Sequence, residues 1–309
     1  MSATPTAPTP RWPAASADRI VVQGLTATGY HGVLAHEKRE GQEFGVDVTL
    51  ELDLSYAGES DELGETVDYS KVADQVVEHV TGESLDLVET LTARIAGDLL
   101  TRHWQLEAVE VTVHKPHAPV GHPVRDVQVL IRRERRVPAV IALGSNLGDS
   151  QRTLEAAVRE IGQLRALRID AVSPLFDTDA MGGPEQPDYL NAVVLVTTSL
   201  APRTLLDALH AIEDAHGRVR ETRWSARTLD LDLIQHGSPV EGTDQVSTAG
   251  TPLLPHPRAH ERGFVLRPWL AADPQAHLRV DGAAVPVAEL IRQVDVSGVR
   301  PGQFWRPAW

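Results

Sequence analysis

The sequence predicts an α+β protein organised in two domains. Its 309 residues are enough for two domains of ordinary size. The first part of the chain reads as strand, strand, helix, helix, strand, strand, an order typical of an antiparallel sheet with helices on one face. The second part alternates strands and helices, and the run RRERR at 132–136, followed by Pro138, separates the two parts. We interpret that run as a solvated boundary segment.

The first domain is expected over residues 18–135. It opens with a strand or strand pair in RIVVQGLTATGYHG, and VDVTLELDL then alternates apolar and polar residues as a one-sided strand does. Ser70 is expected to cap a helix that ends at Gly82, and a second helix follows. The inward faces of the two helices are predicted to carry Val72, Val76 and Val80, and Val88, Leu91, Ile95 and Leu99. The last two strands are expected in EAVEVTVHK and VRDVQVLIR.

The second domain is expected over residues 138–309. AVIALGSN predicts a buried strand that runs into a turn, and Asp149 or Ser150 is positioned to cap the next helix. A strand in NAVVLVTT follows, then a helix from Pro202 to near Gly217, and then a strand in RTLDLDLI. The domain is therefore α/β-like.

The composition excludes several classes of protein. A hydrophobic content of 42% and a charged content of 23% are globular values, and no run approaches the roughly 18 apolar residues of a membrane span. A net charge of −14 argues against a general nucleic-acid binder, which needs a basic surface. The chain has no cysteine, so disulfides and cysteine-ligated zinc are excluded, and this fits a cytoplasmic protein. Residues 1–17, rich in Pro, Thr and Ala, are expected to form a disordered tail.

The stretch RTLDLDLI at 227–234 contains the first candidate site. As a strand it places its leucines on one face and Asp230 and Asp232 on the other. Two carboxylates in this arrangement, with Cα atoms roughly 6–7 Å apart, can hold Mg²⁺. The same pattern is also typical of a half-buried strand with a solvated acidic face. Both interpretations stay open on this stretch alone.

Four arginines precede the aspartate pair within GRVRETRWSARTLDLDLI. They are Arg218, Arg220, Arg223 and Arg227. Guanidinium groups suit phosphate oxygens, and phosphoryl transfer needs mainly positioning and charge neutralisation, so the cluster favours a phosphate site. The alternative is a salt-bridged surface in which these arginines pair with the aspartates. The chain contains no Walker A sequence, which excludes a P-loop fold.

Four motifs in register give the second domain a family resemblance. ALGSNLGD, QPDYLNAVV, GRVRETRWSARTLDLDLI and PHPRAHERGFVLRP closely resemble those of 6-hydroxymethyl-7,8-dihydropterin pyrophosphokinases. The resemblance implies a ferredoxin-like α/β fold and transfer of pyrophosphate from ATP to a pterin hydroxymethyl group. It implies that Asp230 and Asp232 hold two Mg²⁺ ions, that Tyr189 and Phe264 stack on the pterin, and that Asn191 hydrogen-bonds its edge. Phosphate contacts are implied for Arg218, Arg220, Arg223, Arg227, His256 and Arg262, with Arg218 and Arg227 catalytic.

Two segments depart from the family pattern, and one alternative concerns zinc. The first half of TDAMGGPEQP differs from the Thr-Pro-rich sequence usual there, and Ser225-Ala226 stands where Gly-Pro is common. His256 and His260 have the spacing of a helical zinc pair, but the prolines that flank His256 favour a loop. The two departures from the family pattern both fall in predicted loops. We therefore expect them to bear on loop motion rather than on the chemistry.

Lys115 is the first candidate in the N-terminal domain. It has the strand parity of Val109, Val111 and Val113 and so ends a core-facing row, where partial burial favours the neutral amine of a general base. The alternative is a lysine that reaches past the strand end into solvent.

Five segments give this domain its own resemblance. GYHGVLAHEKREGQ, VDVTLELDL, ETVDYSKV, DLVETLTARI and HKPHAPVGHPVRDV strongly resemble dihydroneopterin aldolases. The resemblance implies a tunnelling fold, symmetric homo-oligomers (tetramers or octamers) with sites between subunits, and retro-aldol cleavage of 7,8-dihydroneopterin without a metal or other cofactor. It implies that Lys115 is the base and Tyr69 the proton relay, and that Glu37 and Gln42 orient the side chain and a water. Glu89 is expected to anchor the pterin, with Val88 beside it.

Three readings of the whole chain follow. The first is a bifunctional enzyme of folate biosynthesis, because the product of the aldolase is the acceptor of the pyrophosphokinase. The second is a pyrophosphokinase with a catalytically silent aldolase-like oligomerisation domain, against which Lys115, Tyr69 and Glu89 speak. The third is a metal-dependent phosphohydrolase or nucleotide-binding regulator, against which the pterin-site residues speak. Under the first reading the partners are small molecules, with neither nucleic acid nor membrane.

Overall fold

The computed structural model describes residues 18–179, 187–217 and 228–309. The chain divides into two compact units, one ending at Arg135 and the other running from Arg136 to Trp309. We call them the N-terminal and C-terminal units. The predicted tail at 1–17, Ser225-Ala226 and all four arginines between 218 and 227 lie outside the described residues.

The N-terminal unit contains four strands and four α-helices within its described residues. The strands are β1 (Asp18–Gly29), β2 (Gln42–Leu52), β3 (Ala108–His114) and β4 (Gln128–Glu134). The helices are α1 (Ala35–Glu40), α2 (Ser55–Ser60), α3 (Tyr69–Thr81) and α4 (Val88–Arg102), with a 3₁₀ turn at Leu63–Glu65. The strands form one antiparallel sheet in the order β1-β2-β3-β4. This confirms the α+β, tunnelling-fold architecture expected from the sequence.

One face of this sheet packs against the helices. The alternating residues of β2 are buried against the inward faces of α3 and α4, as the periodicity predicts. This core includes Val46, Val48, Leu50, Leu52, Val72, Val76, Val80, Leu91, Ile95 and Leu99. Burial of each such side chain contributes about 1.5–3 kcal/mol, so the face holds the sheet and both helices as one unit.

The predicted cap of α3 is wrong. Asp68, not Ser70, is the N-cap, and its carboxylate accepts from the Ser70 amide at 3.1 Å and from the Ser70 hydroxyl at 2.6 Å. An aspartate at this position satisfies an amide at the helix start and also suits the positive end of the helix dipole.

The arginine run at 132–136 is not simply a solvated segment. The Arg135 side chain is partly buried, and its guanidinium donates to the carbonyls of Leu106 at 2.7 Å and His103 at 2.8 Å, and to that of Leu100. Leu100 lies in the last turn of α4, where carbonyl groups have no partner within the helix. Arg135 therefore caps the end of that helix.

The C-terminal unit contains eight strands and four α-helices within its described residues. The strands are β5 (Val137–Ser145), β6 (Leu167–Val172), β7 (Phe176–Thr178), β8 (Tyr189–Thr198), β9 (Asp230–His236), β10 (His277–Val280), β11 (Ala283–Pro286) and β12 (Val299–Pro301). The helices are α5 (Ser150–Gly162), α6 (Pro202–Ala215), α7 (Gly263–Ala272) and α8 (Val287–Leu290), with 3₁₀ turns at Ala259–Glu261 and Ile291–Gln293. Asp149 caps α5 through the Arg152 amide at 3.1 Å, as predicted.

The described strands of this unit form a six-stranded antiparallel sheet and a hairpin. The sheet has the order β12-β7-β8-β5-β9, with β6 paired to β8 next to β7, and β10 pairs with β11. Helices α5 and α6 cover one face, while α7 and α8 cover the other. This is the ferredoxin-like α/β arrangement expected for the second domain. No helix among the described residues combines the length and the apolar character needed to cross a membrane.

Candidate active sites

A buried ion pair lies at one end of the N-terminal sheet. Lys115 follows β3 directly on the core-facing row and is 7% exposed, and Glu37 of α1 is 3% exposed. The Lys115 Nζ atom lies 2.5 Å from Oε1 of Glu37. A buried amine at this place contradicts the alternative of a lysine that reaches into solvent.

Several hydrogen bonds hold the Glu37 carboxylate. The Leu34 amide donates to Oε2 at 3.0 Å, and the Gln42 Nε2 group donates to Oε1 at 3.3 Å. Burial alone would raise the pKa of the Glu37 carboxyl. The hydrogen bond from Lys115 and these two bonds lower it by more than burial raises it, so the pKa lies below its ordinary value. Glu37 is therefore a carboxylate that fixes the lysine amine in place.

Gln42 directs an acceptor into the same place. Its Oε1 atom is buried and has no hydrogen-bond partner among the described residues. A buried amide oxygen without a donor costs free energy, so this atom is suited to accept from a bound water or hydroxyl group. The acceptor lies on the side chain that contacts Glu37.

The turn before α1 closes around the carboxylate. Gly32 has φ +147°, and a Cβ atom added there would lie 2.2 Å from Oε2 of Glu37. Only a glycine therefore fits between the backbone and the carboxylate at this point.

His31 is a further neighbour of the lysine. Its ring is fully buried, its Nε2 atom donates to the Val80 carbonyl at 2.8 Å, and its Nδ1 atom accepts from the Leu85 amide at 3.1 Å. The ring is therefore neutral. Burial lowers the pKa of His31 and the charge on Lys115 lowers it further, against the opposing bond to Val80. Its backbone carbonyl lies 3.4 Å from Lys115 Nζ.

Sequence reasoning missed His31 and Gly32 as site residues. Both belong to the quoted segment GYHGVLAHEKREGQ, but only the fold brings that turn next to a lysine more than eighty positions away.

The remaining candidates of this unit lie at helix starts. Tyr69 begins α3 and is 63% exposed, Val88 begins α4 and is partly buried, and Glu89 follows it and is exposed. The single chain thus brings together Lys115, Glu37 and Gln42.

In the C-terminal unit the sheet register sets the site. Gly144 of β5 pairs with Asn191 of β8 on one side and with Asp230 of β9 on the other. Neighbouring strands lie about 4.8 Å apart, so Asn191 and Asp230 are about 10 Å apart across the sheet. A Cβ atom at Gly144 would lie 3.2 Å from Oδ1 of Asn191, so the glycine leaves room for that amide.

The alternation in RTLDLDLI places the leucines and the aspartates as predicted. The three leucines are at most 3% exposed and pack into the core under α5 and α6. Asp230 and Asp232 are partly exposed on the opposite face and line a cavity of about 690 Å³. That volume is within the range of small-molecule sites, which reaches about 1,000 Å³.

Every predicted site residue of this unit that the structure describes lines the cavity. They are Tyr189, Asn191, Asp230, Asp232, His256, Arg262 and Phe264. The other four candidates, Arg218, Arg220, Arg223 and Arg227, lie outside the described residues.

Asp232 already has a cationic partner. The Arg262 Nη1 group donates to Oδ2 of Asp232 at 3.1 Å, and Nε2 of His256 lies 4.0 Å from the same oxygen. The pKa of His256 lies below its ordinary value, mainly because the ring is shielded from solvent. The charge of Arg262 also lowers this pKa, and the charge of Asp232 raises it. An arginine therefore does pair with one of the two aspartates, but it lies thirty positions downstream of it.

The donor set fits Mg²⁺. Among the described residues no group of three or more His, Asp or Glu side chains is arranged to hold a metal, so the site is two carboxylates at an open cavity. Mg²⁺ typically takes one or two carboxylates and completes its shell with water and substrate phosphates. That Asp232 attracts a guanidinium shows that the site favours positive charge.

Thr178, which sequence reasoning also missed, orients Asn191. The Asn191 Nδ2 group donates to Oγ1 of Thr178 at 2.8 Å, and both residues are buried. The register of β7 with β8 brings them together, although they are thirteen positions apart. The bond leaves the Asn191 carbonyl oxygen on the side of Gly144.

The fold and these sites define a two-domain enzyme, with a lysine–carboxylate site in one unit and a carboxylate–arginine cavity in the other. Its families follow from comparison with known proteins. The family model for dihydroneopterin aldolase matches residues 20–132, and that for 7,8-dihydro-6-hydroxymethylpterin-pyrophosphokinase matches residues 140–274.

Individual relatives match each half over most of their own length. A dihydroneopterin aldolase of Streptomyces coelicolor is 49% identical over 118 residues, which are 38% of this chain and 98% of that protein. A 2-amino-4-hydroxy-6-hydroxymethyldihydropteridine pyrophosphokinase of Mycobacterium tuberculosis is 38% identical over 174 residues, 55% of this chain and 90% of that protein. The corresponding protein of Mycobacterium leprae is 43% identical over 161 residues, 50% of this chain and 82% of that protein. The chain belongs to both families and is a bifunctional lyase and transferase of folate biosynthesis.

Proposed function

We propose that the chain catalyses two consecutive reactions on a pterin. The first cleaves the C1′–C2′ bond of 7,8-dihydroneopterin to glycolaldehyde and 6-hydroxymethyl-7,8-dihydropterin. The second transfers pyrophosphate from ATP to the hydroxymethyl oxygen of that product and releases AMP. The observation that carries the proposal is that one chain matches both families, and the product of one reaction is the acceptor of the other.

In the N-terminal unit Lys115 is the proposed base. In its neutral form it takes the 2′-hydroxyl proton through a water held by Glu37 and the free acceptor of Gln42. The oxygen then forms the aldehyde carbonyl, and the electron pair of the breaking C1′–C2′ bond passes into the pterin ring. Tyr69 relays a proton to C1′, which completes the second product. We assign no cofactor to this reaction.

The proposed pterin contacts of this unit support assembly of several chains. Glu89 is proposed to bind the donor edge of the pterin through its carboxylate, with Val88 beside it. Tyr69 and Leu87 are 63% and 52% exposed at the starts of α3 and α4, where a second copy of the chain would cover them. We therefore propose a homo-oligomer, a tetramer or octamer, that completes the aldolase site.

In the C-terminal unit Asp230 and Asp232 are the proposed ligands of two Mg²⁺ ions that accompany ATP. The ions would neutralise phosphate charge and align the phosphates for in-line attack. Tyr189 and Phe264 would stack on the pterin, and Asn191 would bind its edge. His256, Arg262 and the arginines at 218, 220, 223 and 227 would contact phosphates, with Arg218 and Arg227 acting on the transferred group.

We also propose domain limits of 18–135 and 138–309, and a cytoplasmic location, where the ATP for the second reaction is available. The limits agree in position with the division of the chain at Arg135 and Arg136.

The test is a product analysis of the whole chain. With dihydroneopterin, ATP and Mg²⁺ we expect glycolaldehyde, the pterin pyrophosphate and AMP. AMP without a pyrophosphorylated pterin would contradict the proposal, and absence of glycolaldehyde would indicate a silent aldolase-like domain. A covalent adduct trapped on Lys115 by borohydride would overturn the proposed base mechanism.

A further inference from the structure

Arg262 is held from two sides at the edge of the C-terminal cavity. Its Nη1 group donates to Oδ2 of Asp232 at 3.1 Å, and its guanidinium carbon lies 5.6 Å from the centre of the Phe264 ring. The Arg262 and Asp232 side chains are 22% and 36% exposed, so the pair is partly shielded from solvent. The guanidinium is thus fixed at the carboxylate rather than free in the cavity.

The position of Arg262 conflicts with a metal at the same carboxylate. Asp232 shares its strand face with Asp230, and the guanidinium on Oδ2 neutralises the charge of Asp232. Mg²⁺ binds carboxylate oxygens at about 2.0–2.1 Å and keeps a shell of waters and phosphates around it. A cation at that distance would repel the guanidinium and compete for the same oxygen.

We infer that Arg262 is the resident counter-ion of Asp232 and that a metal–nucleotide complex takes its place. The guanidinium released from Asp232 then pairs with a phosphate of the nucleotide. Asp232 and Arg262 therefore each keep a partner of opposite charge. This inference rests on the proposed function, which gives Asp232 to Mg²⁺ and Arg262 to phosphate. It adds that Arg262 weakens binding of the metal alone and strengthens binding of the metal–nucleotide complex.

Arg258 provides a matched control. It lines the same cavity four positions earlier, carries the same charge, and pairs with Glu261 at 3.3 Å. Its removal changes the net charge of the site as much as removal of Arg262 does. A difference between the two variants therefore reports the direct contact with Asp232.

The experiment measures Mn²⁺ binding to the full chain by electron paramagnetic resonance, with and without a non-hydrolysable ATP analogue. Without nucleotide, Arg262→Ala and Arg262→Gln should bind Mn²⁺ about two- to fivefold more tightly than the unaltered chain, the range expected for loss of a partly exposed ion pair. Arg258→Ala should show a smaller change. With the analogue, both Arg262 variants should bind the metal–nucleotide complex more weakly, so the sign of the effect reverses.

The outcomes separate this inference from the proposed function. Equal Mn²⁺ affinity of the Arg262 and Arg258 variants without nucleotide would overturn the exchange, even if the analogue still binds with Mn²⁺. If Asp232→Asn and Asp230→Asn leave Mn²⁺ binding unchanged in both conditions, the proposed function of the cavity is itself wrong. Arg262→Gln retains the inner part of the aliphatic chain and a polar end, so a folding defect of the alanine variant leaves the test intact.

Discussion

Replacement of Gly32 by alanine tests the buried Glu37–Lys115 pair without changing either charged residue. The added Cβ atom would lie 2.2 Å from Oε2 of Glu37, at a backbone φ of +147°. Because no heavy atom tolerates that contact, the carboxylate must move by about 1 Å. It then loses the 3.0 Å bond from the Leu34 amide and the 2.5 Å contact with Lys115.

The expected magnitude follows from these two effects. A side chain at positive φ of this kind costs about 1–3 kcal/mol, and disruption of a buried ion pair costs about 3–5 kcal/mol. The two costs are coupled, because relaxation of the backbone relieves part of the contact, so we expect a loss of about 3–5 kcal/mol. A catalytic group displaced by 1 Å loses activity of the order of 100-fold.

The assay compares Gly32→Ala with Gly24→Ala. Gly24 also has a positive φ, +72°, but a Cβ atom there meets nothing within 4 Å, so only backbone strain of about 1–2 kcal/mol applies. Glycolaldehyde release measures the lyase, and hydrogen exchange of the amides of β2 and β3 measures local unfolding. AMP release with added hydroxymethyldihydropterin serves as the internal control and should be unchanged in both variants.

One result would refute the reasoning. If Gly32→Ala keeps lyase activity within twofold of Gly24→Ala, the carboxylate can relax without loss, and the close fit of the turn around Glu37 has no role.

Three further predictions concern single contacts. Thr178→Val removes the 2.8 Å bond that orients Asn191, so KM for the pterin should rise about tenfold while KM for ATP stays constant in steady-state assays. His31 must stay neutral to accept from the Leu85 amide, and its lowered pKa means that the unfolded chain binds more protons just below pH 6.5. Stability should therefore fall as pH drops through that window, and urea unfolding at pH 5.5 and 7.5 should show less pH dependence for His31→Gln. Arg135→Ala removes the cap of α4 and should lower the free energy of unfolding of the N-terminal unit by about 2–3 kcal/mol, measured by hydrogen exchange.

Periodic burial is the part of the fold that could be predicted from sequence. Leu229, Leu231 and Leu233 are buried and the intervening aspartates are not, because a strand alternates its faces whatever it pairs with. The row that ends at Lys115 follows the same rule. Such patterns depend on neighbours in sequence, so they can be read without the fold.

Contacts between distant segments could not be predicted in this way. The pairing of Arg262 with Asp232, and that of Thr178 with Asn191, depend on strand register and on the loop path before α7. Prediction of the α4 cap by Arg135 also requires knowledge of which distant segments meet in the fold. A charge run alone is typical of a solvated segment.

A pair of single variants tests the central claim, two separate chemistries in one chain, most directly. Lys115→Ala should release no glycolaldehyde from dihydroneopterin but should still form AMP when hydroxymethyldihydropterin is supplied with ATP and Mg²⁺. Asp230→Ala should show the reverse, with glycolaldehyde released at the normal rate and no AMP formed. Loss of both products in either folded variant, or retention of glycolaldehyde by Lys115→Ala or of AMP by Asp230→Ala, would contradict the account.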